Sequence, residues 1–300
     1  MVKPRLNRRE LSARLSLAAN ARVCDSLTAA YVDSDDSYRI GITGPPGAGK
    51  STLIGRLAST RLLRSDGDLA LVVIDPTSAV SGGAVLGDRI RMEAVAGDPR
   101  VFIRSLASRS NLDGLAENLS DVLLVFESDG FKEIIVETVG VGQVEYAVRN
   151  LVDTMVLVLM PGVGDQVQAM KGGILEKADI YAIHKADLPG TTQLIAALNS
   201  VLKQKAPVAG SWAPMIVPTS VDNDESVDQL NAAIEKHRMW TKSSRTMSMV
   251  RARRRAYHVG SLVARRVSEV LDELSPEALT LPPAALYEMV ILRLRANLPK

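Results

Sequence analysis

Short apolar runs alternate along this chain with stretches in which apolar residues recur every three or four positions. The runs are IGIT at 40–43, LALVVID at 69–75, a short one at 100–104, KEIIVE at 132–137, 153–160, ADIYAIH at 178–184 and 214–218. Continuous rather than alternating apolar character marks strands buried on both faces, as in a parallel sheet. Helical periodicity fills the intervals at 51–64, around 87–97, up to about Asp129 and at 190–204. Strands that alternate with helices predict an α/β fold with a doubly wound, mainly parallel sheet. One helical pattern precedes the core at 6–31, carried by Leu11, Leu15, Ala18, Val23 and Leu27, and a polar break at 33–37 follows it. Beyond about residue 222 no further strand of this type is expected, only two or three helices. The predicted division is an N-terminal helical extension (1–37), an α/β core (38–222) and a C-terminal helical region (223–300).

The first strand runs into GPPGAGKST at 44–52. Gly44, four residues, then Gly49, Lys50 and Ser51 is the spacing of a phosphate-binding P-loop. Gly44, Gly47 and Gly49 let the backbone curl so that successive N–H groups converge on an anion, Ala48 between them. The helix that starts here adds its positive dipole end. Lys50 is expected to bridge the β- and γ-phosphates, Ser51 to ligate Mg²⁺, and Thr52 to lie near the α-phosphate. A plain glycine-rich turn explains neither the lysine nor the hydroxyls, so a nucleoside-triphosphate site is predicted and the core becomes a P-loop NTPase core.

Further polar residues fall at other strand ends, where open α/β sheets bind ligands. Glu137, in Glu137-Thr-Val-Gly140, can reach magnesium directly or through water, and the Gly140 N–H can meet a γ-phosphate. Asp75 and Asp88 flank a small-residue loop at 77–88. Both are candidate metal or water-orienting carboxylates; Asp75 before Pro76 also fits a turn, and Asp88 also fits a helix N-cap. His184-Lys185-Ala186-Asp187 stands where GTPases carry Asn-Lys-x-Asp. Asp187 would accept from guanine N1 and N2, a pairing that adenine cannot satisfy, while the Lys185 stem packs along the base. A neutral His184 offers one N–H toward the purine N7. Thr219 and Ser220, at the last strand end, are candidates for a second base contact.

Composition narrows the field. A net charge of +2 gives no case for a nucleic-acid partner, and 46% apolar content is ordinary for a soluble chain. The single cysteine, Cys24, excludes an internal disulfide framework and fits a reducing compartment. The longest apolar run, 155–160, is too short for a bilayer, so a soluble, cytoplasmic protein without a membrane partner is expected. Residues 245–271 interleave Arg245, Arg251, Arg253, Arg254, Arg255, Arg265 and Arg266 with apolar positions. This reads as an amphipathic basic helix: a solvated face over a packed stripe, a dimer arm, or a surface for an acidic partner.

With these segments aligned, the chain resembles the MeaB/ArgK family of P-loop GTPases, which includes the methylmalonic aciduria type A protein. The resemblance rests on GPPGAGKST (44–52), DPTSAVSGGAVLGDRIRM (75–92), ETVGVGQVE (137–145), PGVGDQVQAMKGG (161–173) and HKAD (184–187). It implies a GTPase of low intrinsic rate that binds GTP and GDP with Mg²⁺ and acts as a chaperone for an adenosylcobalamin-dependent acyl-CoA mutase, gating cofactor loading and protecting the client. It further implies that Lys50, Ser51, Asp75, Asp88 and Glu137 serve the phosphates and metal, that Lys185 and Asp187 read the base, and that 161–173 is a switch in which Asp165 and Lys171 respond. A homodimer through the C-terminal helices is implied as well. Two alternatives remain at this stage. One is a metallochaperone-type GTPase, which three histidines and one cysteine support poorly. The other is a nucleotide-gated binding module with negligible turnover.

Overall fold

The computed structural model describes residues 7–29, 37–76, 92–108, 115–116, 118–138, 147–162, 177–203, 210–243 and 246–296. Chain contacts divide it into two compact units. One comprises 35–116 and 130–254; the other comprises 1–34, 117–129 and 255–300.

The larger unit is built on seven strands: β1 (Tyr38–Thr43), β2 (Leu69–Pro76), β3 (Val101–Ser108), β4 (Glu133–Thr138), β5 (Thr154–Leu159), β6 (Ile180–His184) and β7 (Met215–Thr219). Their order is β3-β2-β4-β1-β5-β6-β7, and every pairing is parallel. The strands read from sequence are therefore present within one or two residues at most ends, except that β3 runs on to Ser108. β1 lies between β4 and β5, with Ile42 opposite Glu137 and Val156. This register puts the chain leaving β1 beside the acidic end of β4.

Each strand presents two faces, and residues two apart share one. Ile40, Ile42, Leu71, Val73, Ile135, Val156, Val158 and Ile180 form one apolar layer. Leu53, Ile54 and Leu57 of α3 (Lys50–Arg64), with Leu230 and Ile234 of a long helix at Asp224–Ser243, pack on it. On the opposite face Gly41 has no room for a side chain. A Cβ there would stand 2.8 Å from Val148 and 3.0 Å from Val152, in the turn preceding β5. Helical segments thus cover both faces, the condition under which a parallel sheet persists. α4 (Glu93–Ala96) is shorter than the helix expected near 87–97, of which 87–91 lie outside the described residues. Thr191–Lys203 gives the helix between β6 and β7.

The smaller unit is helical. The single helix expected over 6–31 is two, α1 (Arg8–Asn20) and α2 (Val23–Thr28). Extended backbone at Ala21 and Arg22 breaks it, and the Asn118 amide donates to Ala18 O and Ala21 O at the break. α5 (Leu119–Ser128) supplies Asp121, buried among Ser26, His258 and Arg265. Numbering on in chain order, 191–203 is α6 and 224–243 is α7. They are followed by α8 (Thr246–Asp272), α9 (Pro276–Leu279) and α10 (Pro283–Ala296), so four described helices lie beyond residue 222.

The arginines of α8 depart from the expected solvated face. Arg254, Arg265 and Arg266 are buried, and they pair with Asp153, Asp121 and Glu269 respectively. Meanwhile Met249, Val259 and Val263 are exposed, the latter two at 57% and 58%. Specific carboxylates, on distant segments for Arg254 and Arg265 and one turn along α8 itself for Arg266, reverse the polarity that the helix pattern alone suggests. Arg245 lies outside the described residues.

Candidate nucleotide site

The loop after β1 adopts the geometry that its glycines permit. Gly44 has φ 147°, and a Cβ there would lie 2.1 Å from Val158 O, so only glycine lets the loop pass over β5. Gly49 sits in the left-handed region at φ 83° and opens α3, whose first hydrogen bond runs from Leu53 N to Gly49 O at 3.0 Å. Lys50 is 5% exposed, and its ammonium donates to Gly44 O at 2.8 Å and Pro45 O at 3.0 Å. The lysine is folded over the loop it serves, with its charge held at the loop's mouth. Thr52 is exposed one residue beyond Ser51.

Ser51 Oγ donates to Glu137 Oε1 at 2.7 Å, and both residues are buried. One hydroxyl and one carboxylate, from α3 and β4, are thus brought together as hard oxygen donors. That set suits Mg²⁺, which favours a few protein oxygens plus phosphates and water over a full protein cage. Asp75 lies one residue before the end of β2, opposite Ala107 of β3. Its side chain, together with Asp88, Gly140, Asp165 and Lys171, lies outside the described residues, as do the loops 77–88, 139–145 and 163–173 in full.

β6 delivers the second half of the site. His184 is 1% exposed; its Nδ1 lies 3.0 Å from Thr219 Oγ1 of β7. The other edge of the ring abuts the P-loop: a Cβ on Gly49 would meet His184 Cδ2 at 2.6 Å and Nε2 at 3.0 Å. Burial, and then the charge of Lys185, hold the imidazole below its ordinary pKa and so keep it neutral. Lys185 has φ 57°, the one left-handed non-glycine residue among those described, and its ammonium donates to Gly47 O at 3.0 Å. Asp187 is exposed and accepts from Ser220 Oγ at 2.8 Å. That hydrogen bond is the largest cause of its depressed pKa, so the carboxylate is ionised and oriented.

Sequence reasoning placed Thr219 and Ser220 as base contacts. In the structure Ser220 orients Asp187, and Thr219 holds His184. Its position one residue before Ser220, at the end of the strand beside β6, was the available signal. All the described candidates, from Gly44 to Thr52 and Glu137, His184, Lys185, Asp187 and Ser220, gather at the carboxyl ends of β1, β4, β6 and β7.

A parallel sheet with this loop at its centre, a serine–carboxylate pair beside it and an ionised aspartate at the far strand end define a P-loop nucleoside triphosphatase. Comparison with known proteins narrows the class. The sequence model of the family described as "Methylmalonyl Co-A mutase-associated GTPase MeaB" matches residues 16–275. The chain belongs to that family of GTPases.

A putative GTPase of Pyrococcus abyssi is 41% identical over 237 residues, 78% of this chain and 72% of the relative. The mitochondrial methylmalonic aciduria type A homolog of Caenorhabditis briggsae is 37% identical over 195 residues, 63% of this chain but 47% of that longer protein. The crystal structure titled LAO/AO transport system kinase aligns with a TM-score of 0.60 over 97% of this chain and 99% of its own. At 22% identity that is a likeness of fold.

Proposed function

We propose that this chain is a Mg²⁺-dependent GTPase that uses its nucleotide state to gate cofactor loading and protection of an adenosylcobalamin-dependent acyl-CoA mutase of the methylmalonyl-CoA type. The observation that carries the nucleotide half is the convergence of Lys50, the Ser51–Glu137 pair and the Asp187–Ser220 pair at one edge of the sheet. The family membership supports the mutase half.

In this reading the loop amides from Gly47 to Ser51 cradle the β-phosphate. Lys50 exchanges the carbonyls of Gly44 and Pro45 for phosphate oxygens. Ser51 rotates its hydroxyl proton away from Glu137 so that a lone pair faces the metal site. Ser51 and Glu137 would hold Mg²⁺, which would supply electrostatic stabilisation of the charge that develops on the phosphates. Asp187, prealigned by Ser220, accepts from guanine N1 and N2. Asp75 and Asp88 complete the metal and water shell, and Gly140 follows the γ-phosphate.

We further propose a homodimer through the helical region 223–300. Exposed Met249, Val259 and Val263 on α8, at helical spacing with Ala252, Ala256 and Gly260, support a helix-to-helix contact with a second copy. No described helix is long and apolar enough to cross a membrane. Among the described residues no group of three His, Cys, Asp or Glu side chains could hold a metal ion.

The test is capture of purified methylmalonyl-CoA mutase on the immobilised protein, loaded with GDP or with a non-hydrolysable GTP analogue. Capture that differs between the two states supports the proposal. No capture in either state contradicts the client, and phosphate release at background contradicts the GTPase.

A further inference from the structure

The dipeptide His184-Lys185 touches the phosphate loop twice. His184 fills the space under Gly49, and Lys185 reaches Gly47 O. Lys185 does so from left-handed backbone, a strained conformation for a non-glycine residue that persists where the surroundings impose it. His184 Nδ1 is committed to Thr219 Oγ1, which lies at the end of the next strand. The only ring nitrogen left is Nε2, and that edge of the imidazole faces the Gly49 backbone. The expected donation from His184 to purine N7 therefore has a competitor already in place.

Resting on the guanine-nucleotide reading of this site, we infer that His184 is a positioning residue. Its ring, pinned by Thr219, braces Gly49 in its left-handed conformation and fixes the phosphate loop against the end of β6. It acts on the grip for phosphates and leaves base choice to Asp187, which Ser220 orients independently.

The contact has directional consequences. Gly49 is the residue from which α3 starts, so a shift there moves the amides of Lys50 and Ser51 together. Removing the ring opens a void beneath the loop and leaves Thr219 Oγ1 with a longer, 3.5 Å bond to Ile183 O as its remaining described partner. A loosened loop weakens every nucleotide that carries a β-phosphate, whatever its base. A base reader would behave in the opposite way, because its loss weakens guanine nucleotides and spares adenine ones.

Calorimetric affinities for Mg-GDP and Mg-ADP separate these cases in the wild-type chain and in His184→Ala, His184→Asn and Thr219→Val. The brace predicts that His184→Ala weakens both nucleotides by about tenfold, the size expected for one lost buried hydrogen bond with its packing, and leaves their ratio within about twofold. Thr219→Val, which preserves shape, should move both in the same direction by about threefold. His184→Asn, whose amide reaches Thr219 but does not fill the space under Gly49, should recover part of the loss. Thermal melting of each variant confirms that it is folded. Selective loss of GDP binding with ADP unchanged would make His184 a base reader and overturn the inference, as would unchanged affinity for both. A wild-type chain that binds no guanine nucleotide would instead overturn the nucleotide reading itself.

Discussion

Lys50→Ala separates two consequences of the same side chain. In the nucleotide-free chain the buried ammonium donates to Gly44 O and Pro45 O, at 2.8 and 3.0 Å. A hydrogen bond to a charged group contributes about 1.5–3 kcal/mol, but desolvating the ammonium offsets part of the two bonds. Replacing the lysine also leaves two loop carbonyls short of a donor. A net loss of about 2 kcal/mol is expected, which lowers the melting temperature of a chain of 300 residues by about 3 °C. Turnover should fall much further. Deleting one preorganised donor at a developing charge costs about 10²–10³ in kcat, and Lys50 is the one side-chain cation placed in this loop. Differential scanning fluorimetry without nucleotide and single-turnover phosphate release with Mg-GTP read the two effects separately. Wild-type turnover in Lys50→Ala would refute its place at the phosphates. An unchanged melting temperature would refute the folded-over geometry.

Two other predictions follow from the same residues and their surroundings. Glu137→Gln keeps a hydrogen-bond acceptor for Ser51 but removes the charge. Mg²⁺ affinity of the nucleotide complex should drop by about tenfold or more while metal-free nucleotide binding persists, and equal Mg²⁺ titrations would contradict Glu137 as a metal residue. Acid should destabilise the fold before any carboxylate titrates, because burial depresses the pKa of both His184 and His237. A depressed folded pKa contributes stability that is present above the unfolded value of about 6.5 and is lost as pH falls through the lower folded value. The loss should approach about 1.4 kcal/mol per pH unit for each histidine. Denaturant melts followed by tryptophan fluorescence suit this test, since His237 clusters with Trp212 and Trp240 at centroid distances of 4.8 and 5.6 Å. Stability that is flat from pH 7 to 5 would contradict the burial of neutral imidazoles, and His237→Gln should halve the slope.

Much of this was legible in the sequence because strong local signals and the fold agree. Continuous apolar runs such as 69–75 and 153–160 have one stable use, a strand covered on both faces, and β2 and β5 appear there. The P-loop spacing fixed Gly44 and Gly49 because only glycine tolerates a carbonyl 2.1 Å from its Cβ position, or the left-handed turn into α3. Long-range pairings escaped notice for a physical reason: periodicity reports the face of a residue but not its partner. Arg254, Arg265 and Arg266 read as solvated cations until Asp153, Asp121 and Glu269 arrive from distant elements or the next turn. Thr219 looked like a ligand contact because its hydroxyl sits at a strand end; that it meets His184 depends on the β6–β7 register, His184 opposite Thr219, which no local pattern encodes. His237 was unremarked in sequence, yet it is 2% exposed and lies 2.6 Å from Thr154 Oγ1, beneath the amino ends of the strands.

The account stands most directly on one titration, isothermal calorimetry of the full chain with GTP, GDP and ATP, each with Mg²⁺ and with a chelator. It predicts saturable uptake of one guanine nucleotide per chain, tightened by Mg²⁺ for the triphosphate, and markedly weaker uptake of ATP. Absence of guanine-nucleotide binding, or binding of ATP at least as tight as that of GTP, would contradict it.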